Sequence, residues 1–169
     1  MSNNTVISAN PTEWTAMHLD YDLLAVPSIA LEQTRGEILR LGTLVRELLD
    51  GIMPRFNRYD SAAEPAISQL EAGAAEISGQ INDYLIQISR RNLNLQQSEF
   101  ATQLMDVSTD LKHIGDLVKK DLGALLRKKY ELGVSFSDQG KMELLQFHET
   151  VLSSYDKAME AFEGNDGKR

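Results

Sequence analysis

Three side chains that could bind a metal ion are spaced like residues on one helix face near the middle of the chain. Asp106, Asp110 and His113 stand at positions i, i+4 and i+7, so they share a face of a helix. Carboxylates and an imidazole in this geometry could hold a divalent cation such as Mn, Fe or Zn. The same pattern is common on a solvated face beside a core seam, and two helix-borne carboxylates need further ligands from a neighbouring helix. We therefore expect metal binding to be weak or absent.

Nucleophilic catalysis finds no support in the chain. The sequence has 0 cysteines, no Gly-x-Ser-x-Gly turn and no glycine-rich phosphate loop. Gly73 lies alone inside a helical repeat of small residues, which favours close helix packing. His148 falls on an apolar stripe, where a partly buried, hydrogen-bonded histidine is the usual interpretation. We predict that the chain is not an enzyme and has no cofactor.

Composition and charge limit the class of protein. The 169 residues are 42% hydrophobic and 25% charged, which is ordinary globular usage for about one domain. The net charge of −8 argues against a nucleic-acid partner, since neutralisation of phosphates supplies most of that affinity. No apolar run approaches ~20 residues, and residues 1–10 do not resemble a secretory signal. The sequence predicts a soluble fragment.

Positive charge is concentrated near the end of the third predicted helix. The usual interpretation is a solvated helix end that complements the helix dipole, and the alternative is docking to a partner or to anionic lipid. The residues are Lys119, Lys120, Arg127, Lys128 and Lys129.

Apolar periodicity predicts four long helices with breaks between them. The first begins near Pro27 with Ser28 as its cap and ends at Pro54. The second begins near Glu64, and its apolar residues follow a heptad that demands a partner helix along its whole length. These heptad positions are Ile67, Leu70, Ala74, Ile77, Ile81, Tyr84 and Ile88.

The third and fourth helices follow the same logic. The third runs from about Ser98 to Lys129, and the fourth runs from its cap Ser137 to about Phe162. The third helix's predicted seam is Phe100, Leu104, Val107, Leu111, Ile114, Val118 and Leu125. The fourth helix's stripe is Leu145, His148, Leu152, Tyr155, Met159 and Phe162. Short connections make neighbouring helices antiparallel, so the predicted fold is an all-α up-down bundle of four long helices.

The domain boundaries follow from these helices. We predict a partly ordered tail over residues 1–26 that packs through Trp14 and Leu23. The bundle occupies residues 27–163, and residues 164–169 form a frayed end.

The segment Asp110-Leu111-Lys112-His113-Ile114-Gly115-Asp116 resembles the PhoU-family signature, usually Asp-Leu-Glu-Arg-Ile-Gly-Asp. Five of its seven positions match, and Lys112 and His113 do not. Residues 26–41, 81–85 and 136–144 resemble the PhoU-like domain of Na/Pi cotransporter family proteins, so the resemblance covers about residues 19–163. It implies the first three-helix repeat and the first helix of a second repeat.

The resemblance implies a non-catalytic regulatory or interaction domain associated with sodium-dependent phosphate transport. Its partner would be the membrane transport segment of the same parent protein, on the cytoplasmic side of the inner membrane, and a homodimer is also compatible. Two alternatives stay open: a soluble PhoU-type phosphate-signalling regulator, and a generic helical adaptor or dimerisation module.

The resemblance also bears on metal. In PhoU proteins the Glu and Asp of the signature contribute to iron or zinc clusters. Lys112 replaces that Glu, which leaves Asp116 as the carried-over ligand. A lysine at i and an aspartate at i+4 form an ion pair rather than a chelate. Asp116 therefore joins Asp106, Asp110 and His113 as a candidate ligand, with the same expectation of little or no bound metal.

Overall fold

The computed structural model describes residues 15–57 and 64–164. Over these residues it has no strand and consists mainly of long helices. The predictions for Trp14 and for residues 165–169 lie outside the described residues. The helices are α1 (Pro27–Asn57), α2 (Glu64–Ser89), α3 (Leu95–Asp116), α4 (Gly123–Glu131) and α5 (Asp138–Gly164).

The third long helix is continuous although it changes type along its length. A π-helical segment, Leu117–Leu122, joins α3 to α4 without a break. A short 3₁₀ helix, Tyr21–Ala25, precedes α1. Residues 15–57 and 64–164 thus form four long helices, and the prediction of an all-α bundle of four long helices is confirmed.

The helices α1, α2 and α3 pack on one another and enclose the core, whereas α5 packs on α1. Contacts between elements give the directions. Ser78 of α2 meets Ser108 of α3 (Oγ–Oγ 3.1 Å), and Glu71 of α2 pairs with Lys119 beyond α3, so these helices are antiparallel. Tyr155 of α5 lies at Gly42 of α1, and His148 lies at Leu49, which makes this pair antiparallel too.

The α2 heptad supplies the centre of the core, as its regular spacing predicts. Ile77, Ile81, Tyr84 and Ile88 are fully buried, and Leu111 of α3 is 3% exposed. Burial of a large aliphatic side chain stabilises a fold by roughly 1.5–3 kcal/mol. The heptad is therefore a major contributor to the stability of this bundle.

The helix α1 begins at Pro27 as predicted, but its predicted cap and its predicted end need correction. The backbone N–H groups of Ile29 and Ala30 donate to the carbonyl of Val26, so Val26, not Ser28, is the capping residue. Pro27 then occupies the first helical position, where its missing N–H is not needed. Pro54 does not end the helix, which runs on to Asn57. Met53 is buried and Phe56 packs against the core, and this packing offsets the hydrogen bond that a proline removes from a helix.

The third long helix begins at Leu95, three residues before the predicted start at Ser98. Asn94 caps it: its side chain accepts from the Gln97 N–H, and the Gln97 side chain accepts from the Asn94 N–H. This reciprocal arrangement is a capping box. The sequence pattern did not identify Asn94 as the cap.

The seam of this helix is correct up to Val118 and wrong after it. Leu125, predicted to be in the core, is 56% exposed, and Leu126 is 4% exposed instead. The intervening π segment has wider turns than an α-helix, with bonds to the fifth rather than the fourth residue. The inward face therefore arrives about one residue later than a heptad predicts.

The helix α5 begins as predicted, because the Ser137 hydroxyl accepts from the Gly140 N–H. Its stripe holds from His148 to Phe162, but Leu144 takes the place expected for Leu145, which is 40% exposed. No residue of α5 is fully buried. This helix thus covers the outside of α1 and leaves most of its own surface in solvent.

Residues 15–26, called the strap below, lie across α1 and α2. The Ala16 N–H donates to Gln80 Oε1 at 2.7 Å, and the Tyr84 hydroxyl donates to the Asp20 carbonyl at 2.6 Å. Leu24 is buried, whereas its neighbour Leu23, the predicted contact, is only partly buried. The division into tail and bundle stays a prediction.

Candidate functional site

The signature-like segment of α3 is divided between the core and the surface. Leu111 and Gly115 are buried, and a methyl group added at Gly115 would lie 3.8 Å from Leu48 Cδ1 of α1. Asp110 and His113 are exposed. The apolar residues of the motif therefore hold α3 against α1, while its polar residues form an outward face.

Both carboxylate oxygens of Asp116 are engaged by lysines of the same helix. Lys112 Nζ lies 2.9 Å from Oδ2, which is the ion pair that the i, i+4 spacing predicts, and Lys120 Nζ lies 3.1 Å from Oδ1. The hydrogen bonds from Lys112 and Lys120 hold the pKa of Asp116 below its ordinary value of 3.8. At neutral pH this carboxylate is ionised and already neutralised by two cations.

The structure brings some of the candidate ligands together and leaves others apart. His113 and Asp116 line one shallow open depression with Leu117, Lys120 and Asp121. Asp106 and Asp110 do not line it, and both are exposed. Among residues 15–57 and 64–164, no group of three or more His, Cys, Asp or Glu side chains is arranged to hold a metal ion. The depression combines acidic, basic and imidazole groups, which suits a polar partner better than a chelated cation.

The π segment begins directly after the signature-like motif. Its wide turn is marked by the Gly123 N–H, which donates to the carbonyl of Val118, five residues earlier. Lys119 on this segment pairs with Glu71 of α2, which is 8% exposed. Single π turns inside α-helices often occur at functional sites, and this one re-aims the side chains that follow the motif.

A second polar cluster was not found from the sequence. Glu37 of α1 is fully buried, and its Oε1 accepts from the His18 backbone N–H at 2.9 Å and contacts the His18 ring. Arg40 donates to Glu37 Oε2 at 3.1 Å and to the Thr15 carbonyl at 2.8 Å. A buried carboxylate needs such partners. The sequence offered one indication of this burial: Glu37 lies four positions before the apolar residue Leu41, a spacing that places both on one helix face.

Polar contacts also dock α5 on α1. Arg46 reaches both oxygens of Asp156, with distances of 2.7 and 3.3 Å, a two-point geometry that fixes orientation. This hydrogen bonding raises the pKa of Arg46, so its charge is permanent. The Tyr155 hydroxyl donates to the Gly42 carbonyl at 2.7 Å, and burial raises the pKa of that hydroxyl.

Within the described ranges, none of the helices combines the length and the hydropathy needed to cross a bilayer.

Comparison with known proteins finds a family model that matches the three core helices. The family model described as "PhoU domain" matches residues 38–120, which covers most of α1, all of α2 and α3, and the start of the π segment. Residues 38–120 are thus similar to the PhoU domain. No solved structure matches the chain.

Curated relatives carry the name "Putative inorganic phosphate export protein YjbB". The protein from Salmonella typhimurium is 23% identical over 149 residues, which cover 88% of this chain and 27% of that protein. The protein from Escherichia coli K12 is 24% identical over 165 residues, covering 96% of this chain and 30% of that protein. The chain therefore spans less than a third of the length of these relatives.

Proposed function

Because residues 38–120 are similar to the PhoU domain, we propose that this chain is the non-catalytic regulatory domain of a phosphate-transport protein. The proposal rests on the match to the PhoU domain, taken together with the names of the relatives. PhoU domains are non-enzymatic regulatory domains, and relatives that match 88% and 96% of the chain are named for phosphate export. A phosphate-related regulatory role accounts for both findings.

The geometry of the signature-like face supports regulation over catalysis. A general acid or base needs a pKa near the working pH, and the two lysines move the pKa of Asp116 in the opposite direction. Asp106, Asp110 and His113 project into solvent from a helix whose other side is locked into the core. Such a face acts as a rigid platform, so it can bind a partner without changing its own structure.

The partner that we propose is the transport segment of the same parent protein, on the cytoplasmic side of the inner membrane. The chain covers only 27–30% of its relatives, which leaves ample length for such a segment in those proteins. The most specific part of the proposal is that the phosphate transport is coupled to sodium. It rests on the resemblance of residues 26–41 and 136–144 to Na/Pi cotransporter family proteins.

The experiment measures the flux of radiolabelled phosphate through the full-length parent protein in cells. Asp106→Lys with Asp110→Lys reverses the charge of the exposed signature-like face, and both side chains are outside the core. Glu149→Lys with Glu160→Lys makes the same charge change on the solvent side of α5 and serves as the matched control. We expect the first pair to change how flux depends on phosphate concentration, while the control pair leaves it unchanged.

Three further results decide the details. Flux that survives replacement of Na⁺ by K⁺ would remove the sodium coupling and leave the regulatory role intact. Hydrolysis of phosphate esters by the purified chain, abolished by one point change, would overturn the non-catalytic role. If the full-length parent protein contains no apolar segment of ~20 residues, the soluble phosphate-signalling regulator is favoured instead.

A further inference from the structure

The connection between α4 and α5 is a rigid projection at one end of the bundle, called the tip below (residues 127–136). It is closed by a Schellman motif: the Gly133 N–H donates to the Tyr130 carbonyl and the Val134 N–H donates to the Lys129 carbonyl. Gly133 has φ +63°, the left-handed conformation that this motif requires. Phe136 anchors the far side, with its ring 6.3 Å from that of Phe56. The tip therefore has a defined shape.

The tip presents apolar side chains to solvent. Leu132 is 63% exposed, Val134 is 54% exposed and Phe136 is 41% exposed. They stand at alternate positions along the turn between α4 and α5. Apolar groups grouped in this way at a projecting turn are a recognised sign of an interaction surface.

Positive charge surrounds these apolar groups although the whole chain is acidic. Residues 117–136 hold five of the 17 Lys and Arg side chains but only two of the 25 acidic ones. Lys119 and Lys120 are used in ion pairs with Glu71 and Asp116. Arg127 and Lys128 are exposed and form no ion pair within the described part of the chain. Lys129 lies over the Phe136 ring, 5.4 Å from its centroid.

We propose that the tip docks on an anionic lipid surface, with Leu132 and Val134 entering the interface and Arg127 and Lys128 on the lipid phosphates. Short apolar side chains flanked by cations are the combination that binds a membrane interface, because burial and electrostatic attraction add. The net charge of −8 disfavours approach to such a surface through the acidic parts of the chain. The charge asymmetry therefore selects the orientation in which the tip points at the lipid.

This inference stands independently of the proposed regulatory function. It needs no transport segment, no phosphate and no partner protein. It concerns only what the purified chain does beside lipid.

The first experiment is co-sedimentation of the purified full chain with vesicles. Vesicles of phosphatidylcholine alone are compared with vesicles containing 30% phosphatidylglycerol. We expect binding to the second kind that weakens as NaCl is raised, because exposed charges are screened. Arg127→Gln with Lys128→Gln should weaken it roughly 25-fold, since each basic side chain at an anionic surface contributes about fivefold.

Two further variants separate charge from burial. Arg90→Gln with Arg91→Gln removes two exposed cations at the opposite end of the bundle and should leave binding within about twofold. Leu132→Ser with Val134→Ser should weaken binding at least about tenfold, because it removes the apolar contribution. All six side chains are exposed, so every variant should keep the urea midpoint of the parent chain.

The second experiment locates the contact directly, and the chain suits it because it has no cysteine. Val134→Cys and, as control, Gln96→Cys at the far end of the bundle each carry an environment-sensitive fluorophore. Anionic vesicles should shift the emission of the first label to the blue and leave the second unchanged. Equal shifts at both labels, no binding to anionic vesicles, or loss of binding with the Arg90 and Arg91 changes would each overturn the proposal.

Discussion

Asp116 lies between two lysines of its own helix, and these neighbours determine what its carboxylate can do. The family signature places an acidic residue where this chain has Lys112. Lys112 forms an ion pair with one carboxylate oxygen of Asp116, and Lys120 forms an ion pair with the other. The polar half of the motif is thus engaged in ion pairs, while its apolar half packs on α1.

A pH-dependent contribution to stability follows from this arrangement. The lysines lower the pKa of Asp116, so the ion pairs contribute fully above its ordinary pKa of 3.8 and are lost as the pH falls through the folded-state value. Asp116→Asn should lower the free energy of unfolding by up to about 1 kcal/mol at pH 7, the size typical of partly exposed ion pairs. The measurement is urea unfolding at pH 7 and near pH 2.5. The difference between the two proteins should be smaller at the lower pH.

Asp110→Asn is the matched control, because Asp110 is exposed and forms no ion pair in the described part of the chain. It should change the free energy of unfolding by less than about 0.5 kcal/mol at either pH. A difference for Asp116→Asn that does not decrease between pH 7 and pH 2.5 would show that its effect is not electrostatic.

Metal content is a separate prediction at the residue scale. Elemental analysis of the purified, tag-free chain should find less than one Fe, Zn or Mn per molecule, because Asp116 is already neutralised by two lysines. Should one metal per chain appear, Asp110→Ala and Asp116→Ala identify its site. Loss of the metal with Asp110→Ala but not with Asp116→Ala would show that Asp106, Asp110 and His113 bind it in place of the family site. Loss with Asp116→Ala would show that the family site survives the presence of Lys112.

The π segment is the feature that matters most at the scale of the element. It shifts the inward face of the third long helix, so that Val118 is followed in the core by Leu122 and Leu126. The shift also places Lys119 beside Glu71 of α2. A regular α-helix through the same residues would turn Leu125 inward and leave Leu126 in solvent.

Alanine substitution at the two adjacent leucines tests this register. Leu126→Ala should lower the free energy of unfolding by about 2–5 kcal/mol, the usual range for truncating a buried leucine. Leu125→Ala should change it by less than about 0.5 kcal/mol, because that side chain is 56% exposed. The two variants delete the same atoms, so urea unfolding of both gives a direct comparison. The reverse order of effects would mean that the helix is α-helical throughout.

At the scale of the whole molecule, the bundle consists of a three-helix core and an outer helix. The helices α1, α2 and α3 bury one another, and the PhoU match at residues 38–120 falls on them. The outer helix α5 has no fully buried residue and is held by partly buried apolar groups and by the Arg46–Asp156 contact. The stability of the core should therefore depend little on α5.

Removal of α5 tests this division. A chain ending at residue 137 should keep a cooperative urea transition at a lower midpoint, and circular dichroism should lose the signal of the 27 residues of α5. A chain ending at residue 93 also lacks α3, which leaves the α2 heptad uncovered, and it should show no cooperative transition. A fragment 1–137 that behaves like the shorter one would mean that α5 belongs to the folding core.

The sequence by itself determined the features that depend on local spacing. The α2 heptad, from Leu70 to Ile88, predicts its own burial because a regular repeat puts one side chain per turn on the same face. The Ser137 cap and the Lys112–Asp116 pair are set by contacts within one turn of helix. The outward direction of Asp106, Asp110 and His113 follows from the same periodicity.

Only the tertiary structure decided the features that depend on residues distant in sequence. Pro54 stays inside α1 because the core holds Met53 and Phe56, and this packing outweighs the local preference of proline. Glu37 is buried because the strap brings His18 to it from 19 positions away. The wide turn at Leu117–Leu122 lies where this helix contacts both α1 and α2. Local spacing contains no information about those distant surfaces, so it could predict the helices but not how each one is fitted to the others.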